Sequence, residues 1–224
     1  MDTPEAYSQP EIDALWRVMR ERRDMRHFLP HAVPRETIEH LVEAAHLAPS
    51  VGLMQPWRFL HIRSAALRER IHELVRAEHL ATAAAMPSRN AEFLQVKVEG
   101  VRECGALLAV VLMPRREPHL IGRRTMPDMD LASVGCAIQN MWLAARAEGL
   151  GLGWVSFFEP LALGALLRLP PGARAVALLC IGRVPGFYPR PMLETAGWGK
   201  RLCPGEVLFD DVWPEGADGT PAAY

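Results

Sequence analysis

The sequence predicts a mixed α and β fold, and three observations carry that expectation. Apolar residues recur at helical spacing in several stretches, as Ile12, Leu15, Trp16 and Met19 and again as Ile38, Leu41, Val42 and Ala45. Between such stretches lie short apolar runs of strand length, Trp57 to Ile62, Ala106 to Met113 and Ala175 to Val184. The longest segment of helical period, Asp128 to Gly149, is small and apolar nearly all round. The chain has 224 residues, half of them hydrophobic, so a single domain with one sizeable core is the expected organisation.

Ser8-Gln9-Pro10-Glu11 has the form of a capping box, and the periodic residues behind it predict a helix to about Arg23. Pro34 opens a second helix and Pro49 stops it. Trp16 and Leu41 are read as core. Ala48 to Trp57 is a loop of turn-formers and small residues that presents hydroxyl, backbone and amide groups, suited either to an ordinary connection or to cradling a planar heterocycle. Leu67 to Ala85 reads as a helix and Asn90 to Cys104 as another segment. The Pro-punctuated break between them marks residues 80–100 as a candidate lid.

Ala106 to Met113 is apolar throughout, as a strand covered on both faces should be. Arg115 to Pro127 reads as a polar surface loop. The helix from Asp128 must be buried on most sides, which suggests an interface between two copies of the chain. Gly149-Leu150-Gly151-Leu152-Gly153 precedes the strand-like Trp154-Val155-Ser156-Phe157-Phe158. It is not a dinucleotide fingerprint, in which the glycines follow a strand and open a helix. A helix cap with a tight turn and a close backbone approach to a ligand both remain open for it. A short helix is expected at 160–169. Beyond the proline-rich 185–191 the tail has Phe209, Val212 and Trp213 to bury, and it should fray after Pro214. The expected division is an N-terminal tail at 1–10, a domain at 11–213 and a frayed tail at 214–224.

The chemistry is concentrated in Arg22-Arg23-Asp24-Met25-Arg26-His27-Phe28, where three guanidiniums in five residues surround one carboxylate. Arg offers a planar fork of donors and is always charged, so such a cluster suits a phosphate, although a helix C-terminus also favours cations. The cluster is local, because 25 basic and 26 acidic residues leave a net charge of −1 and no field to draw in nucleic acid or an anionic membrane. Four widely spaced cysteines without a Cys-X-X-Cys argue against a zinc or disulfide framework and for a reducing, cytoplasmic setting. No apolar run reaches the length of a membrane span, and the N-terminus lacks the form of a signal peptide. The motifs of zinc and serine hydrolases and of Walker-type nucleotide binding are missing.

Five motifs in order, over residues 11 to 213, resemble the nitroreductase superfamily. Arg22 to Phe28 resembles its N-terminal flavin-phosphate motif, Ala48 to Trp57 its flavin loop, residues 80–100 its lid region with Lys97, Gly153-Trp154-Val155-Ser156 its flavin-edge strand, and Lys200-Arg201 its second basic pair. Asp24 departs from the usual Ser. Together with Ser50-Val51-Gly52-Leu53-Met54-Gln55-Pro56-Trp57 and Ser156, it resembles the 5,6-dimethylbenzimidazole synthase branch. The resemblance implies an α+β fold of the flavin nitroreductase type: a mostly antiparallel sheet wrapped by helices, in an intertwined homodimer. It also implies FMN contacts at Arg22, Arg23, Asp24, Met25, Arg26, Ser50, Gly52, Met54, Gln55, Lys97, Trp154, Ser156, Lys200 and Arg201, and no metal. The implied activity is O2-dependent fragmentation of reduced FMN to dimethylbenzimidazole and erythrose 4-phosphate. Asp24 would be the base and Ser156 the partner of flavin N5, with NAD(P)H acting only through a separate flavin reductase. The alternatives are an FMN-dependent NAD(P)H oxidoreductase of nitro-aromatics or quinones and a non-catalytic flavin-binding protein. For Lys97, the residues alone favour a solvated side chain.

Overall fold

Ser8 and Glu11 close the expected capping box: the Glu11 carboxylate accepts from the Ser8 backbone N–H at 2.9 Å and starts helix α1, Gln9–Glu21. The computed structural model describes residues 5–214. Along the chain follow α2 (Arg35–His46), β1 (Trp57–Ile62), α3 (Ala65–Ala84), α4 (Asn90–Phe93), α5 (Gly100–Glu103), β2 (Ala106–Leu112), α6 (Met129–Ala147), β3 (Gly151–Val155), α7 (Pro160–Leu166), β4 (Arg174–Gly182) and α8 (Met192–Thr195). The strands form one sheet in the order β1-β2-β4-β3, each pair antiparallel.

Every residue of β2 is buried, and the alternation of its side chains divides the core in two. Ala106, Leu108, Val110 and Leu112 face α2 and α6, where Ile38, Leu41, Ile138 and Met141 pack against them. Leu107 and Ala109 face the other layer, with Ile71 and Val75 of α3, Val101 of α5 and Leu163 of α7. This is why β2 reads as a continuous apolar run: helices cover both faces of the sheet, so neither set of side chains meets water.

Four expectations need correction. Trp16 was read as core, yet it is 51% exposed and α1 buries no residue at all. Among the described residues α1 touches α6 without burying any of its apolar side chains. The segment 90–104 is two short helices, not one element. The loop before α6 is not merely a polar surface: Asp130, 5% exposed, takes Arg116 Nε at 2.8 Å and Arg123 Nη2 at 2.9 Å on one oxygen and ties the loop down. The N-terminal boundary moves forward, because the capping box places Gln9 and Pro10 inside α1. The frayed tail expected from 214 lies outside the described residues beyond Pro214.

Candidate functional site

After α1 the chain turns and lies beside β3. Asp24 bridges Leu152 in parallel, and the Met25 N–H donates to the Leu152 carbonyl at 3.0 Å. This close approach explains the alternating glycines. A Cβ at Gly153 would stand 2.2 Å from the Met25 carbonyl oxygen, and one at Gly151 would strike Val184 at 2.3 Å and Met25 at 3.0 Å. The glycines make room for the Arg-rich segment itself, while Gly149, at φ +75°, ends α6. Met25 sends its side chain into the second core layer, 1% exposed, so only its backbone faces the site.

Asp24 is held at both oxygens. Oδ1 accepts the Trp154 backbone N–H at 2.9 Å, and Oδ2 accepts Arg26 Nη2 at 2.5 Å. Protein crowds the carboxylate, but its side chain keeps 36% of its surface open. Burial raises its pKa above the ordinary aspartate value, against the opposing pull of Arg26, the Trp154 N–H and Arg22. The segment thus places its one carboxylate against β3, with Arg26 as its counter-charge.

The three arginines divide the work. Arg23 spends its fork on carbonyls, donating to Arg20 and Arg22 at 2.7 Å each and to Pro189 at 2.9 Å. It caps the end of α1 and pins the 185–191 segment, so the structure gives it a structural task. Arg22 makes no side-chain hydrogen bond among the described residues, and its guanidinium lies 4.5 Å from the Trp142 ring centroid. Arg26 is 12% exposed and its Nε and Nη1 are buried without a partner, as is the Nε of Arg23. Leaving a buried charged donor unanswered costs about 1–3 kcal/mol or more. A phosphate beside Arg22 and Arg26 supplies the missing acceptors, so the residues present fit such a group.

The loop from Ser50 is built around unusual backbone. Gly52, Leu53 and Gln55 have φ of 53°, 51° and 46°, and the Gln55 N–H donates to Ser50 Oγ at 3.0 Å. The Val51 N–H donates to Ser133 Oγ at 3.0 Å, and Ile121 packs 3.1 Å from where a Gly52 Cβ would be, so α6 and the Asp130-anchored loop support this turn from below. Met54 is buried, and the Gln55 amide approaches His46, which accepts from the Trp57 indole at 3.2 Å. Trp154 is half-buried, and Ser156 stands exposed just past the end of β3.

Lys97 is placed elsewhere. It pairs with Glu103 at 2.6 Å and lines a cleft of about 440 Å³ with His27, Arg76 and Glu99. Lys200 and Arg201 are exposed on the tail. Burial first, and then the charges of Arg201 and Arg23, lower the Arg22 pKa from its ordinary value, so the tail does bring Arg201 toward the cluster. Sequence reasoning missed Trp142, Ser133 and Asp130 as supports of the site. Trp142 falls at helical spacing with the other apolar residues of α6, which marks it only as packing, and Asp130 has no periodicity or motif to mark its two distant partners.

The nitroreductase family model matches residues 19–183. The chain belongs to the nitroreductase family. Within it, the chain is similar to the 5,6-dimethylbenzimidazole synthase of Rhodospirillum rubrum, 40% identical over 84% of this chain and 90% of that one. The 5,6-dimethylbenzimidazole synthase of Rhodobacter capsulatus is likewise 40% identical, over 88% and 96%. A BluB-like flavoprotein from Clostridium difficile 630 shares the fold, with a TM-score of 0.68 at 19% identity, over 87% of this chain and 97% of that structure.

Proposed function

We propose that this protein is a 5,6-dimethylbenzimidazole synthase that consumes reduced FMN and O2. The observation that carries the proposal is Asp24: a carboxylate inside an arginine-rich phosphate motif, held on one oxygen by the Trp154 N–H of β3 and on the other by Arg26 of the motif itself. A flavin reductase that recycles its cofactor has no use for a carboxylate there. The relatives of about 40% identity named for this activity support the same conclusion.

Bound FMN supplies both the electrons for O2 and the atoms of the product. Arg22 and Arg26, with Arg201 from the tail, would hold its phosphate, and the Ser50–Gln55 turn would face the ring. Asp24 would take the proton from C1′ of the ribityl chain, a role that a pKa raised by burial above that of a free aspartate favours. Ser156 offers its hydroxyl at N5 from the exposed end of β3.

A second copy of the chain completes the assembly in this proposal. Leu15, Trp16 and Met19 of α1, Leu131 and Cys136 of α6, and the tail residues Leu208, Val212 and Trp213 are exposed in one chain, and a partner copy would cover them. The setting is cytoplasmic, where a separate NAD(P)H-dependent reductase delivers reduced FMN; among the described residues no helix is long and apolar enough to cross a membrane. The test is aerobic incubation of the protein with FMN and such a reductase, followed by mass analysis. Loss of flavin in step with a dimethylbenzimidazole mass is the expected result, and intact, recycling flavin defeats the proposal.

A further inference from the structure

Trp142 stands in α6 with 8% of its surface exposed, far in sequence from the Arg motif, and it is tied to that motif twice. Its indole N–H donates to the Arg23 carbonyl at 3.1 Å, and the Arg22 guanidinium lies over its ring at 4.5 Å. The first contact fixes the backbone between Arg22 and Asp24. The second holds the guanidinium over the indole without using any of its donors. A carboxylate partner would orient Arg22 equally well, but it would occupy the fork and place a negative charge where an anion must bind. A stack leaves all five N–H groups in the plane and free at the edge. Trp154 backs the indole, with ring centroids 6.2 Å apart, so the platform itself is packed in place.

The surroundings agree. Among the described residues Arg22 has no hydrogen-bonding side-chain partner. Burial and the nearby charges of Arg201 and Arg23 work against its charge, opposed by Asp24 alone. Cations converge there with free donors, which is costly until a dianion sits among them.

We propose that Trp142 is a positioning residue that presents Arg22 edge-on to the terminal phosphate of the flavin ligand, and so sets the preference for the phosphorylated flavin over the bare one. The proposal rests on FMN being the ligand of the Arg motif. Its signature is selective. Loss of the flat face should weaken FMN, whose phosphate uses Arg22, and spare riboflavin, whose ring and ribityl chain bind elsewhere.

The experiment measures dissociation constants of oxidised FMN and riboflavin, at one ionic strength, for the full-length parent, Trp142→Phe and Trp142→Leu. In the parent FMN binds tighter. Trp142→Leu should cut that preference by roughly 3- to 30-fold, the range of a partly desolvated cation–π contact, with riboflavin affinity within about twofold of the parent. Trp142→Phe, which keeps a face but no N–H, should retain most of the preference. An unchanged preference in Trp142→Leu, or an equal loss for both flavins, overturns the proposal. Arg22→Lys gives a readout that does not depend on the Leu variant folding. Lysine keeps the charge but has no plane to stack, so FMN preference should fall; full retention shows that charge alone suffices and overturns the role of the stack. A parent that binds both flavins alike refutes the phosphate assignment itself, a failure distinguishable from that of Trp142.

Discussion

Replacing Asp24 with Asn separates chemistry from architecture, because the two oxygens of Asp24 have different partners. The Asn carbonyl can keep the Trp154 N–H, whereas its amide would turn a donor toward Arg26 Nη2, which now sits 2.5 Å from Oδ2. The lost charge-assisted bond is worth about 1.5–3 kcal/mol in a closed site. Here the side chain is 36% exposed, which reduces that figure, and removing a carboxylate whose burial disfavours its charge offsets part of the rest. The net loss of stability should stay under about 2 kcal/mol, or about 8 °C in Tm for a chain of this size.

The pH dependence has a definite sign. The folded pKa of Asp24 is raised, so between the unfolded and folded values the native state holds the proton more firmly, and this group's contribution to stability falls as pH rises through that window. Asn lacks that dependence, so the variant should compare worst with the parent at acid pH and gain on it as pH rises. Urea unfolding over a pH series measures this. Product formation from enzyme loaded with reduced FMN and mixed with O2 should drop by about 100-fold or more if Asp24 is the base. A variant that makes dimethylbenzimidazole at near-parent rate refutes the assignment, whatever its stability.

Arg22→Ala and Arg26→Ala should each weaken FMN roughly 10- to 100-fold by loss of charge-assisted hydrogen bonds; titrations indistinguishable from the parent would remove the phosphate site from this cluster. Ser156→Ala should fold and bind FMN, since an exposed hydroxyl beyond a strand end carries little packing, yet form much less product in a single turnover. Unchanged product would exclude the hydroxyl. Asp130→Asn leaves the buried guanidiniums of Arg116 and Arg123 without their counter-charge, at a cost of about 3–5 kcal/mol and about 6–20 °C in Tm. A urea midpoint equal to the parent's would show that the clamp carries no stability.

The elements were legible wherever one local rule acted alone. The capping box at Ser8, the period of Ile38, Leu41 and Ala45, and the two-sided burial of β2 each follow from spacing, because a helix or strand buries its apolar face wherever it packs. Trp16 breaks the rule, since periodicity reports an apolar face and not what covers it, and in this structure half of its surface stays open. Glu103, whose carboxylate pairs with Lys97, was likewise invisible in the sequence, because proximity to the lid segment says nothing of an ion-pair partner. The glycines of 149–153 left a cap and a close approach both open, and the structure shows both: Gly149 ends α6, and Gly151 and Gly153 make room for Met25 of the chain itself.

The sequence by itself determined which groups are available to the site: an arginine cluster with one carboxylate in it, a turn rich in small residues, and a serine past a strand. Residue type and spacing are local properties, and charge, donor count and backbone freedom come with them. Only the tertiary structure decided how those groups are used. Arg23 is absorbed by carbonyls at Arg20, Arg22 and Pro189, Arg26 is turned to Asp24, and Arg22 is set over the ring of Trp142, on a helix more than a hundred residues away in the chain. Those choices depend on which partners come within hydrogen-bond or stacking distance once β3, β4 and α6 have packed, and contacts of that kind leave no periodicity in the chain.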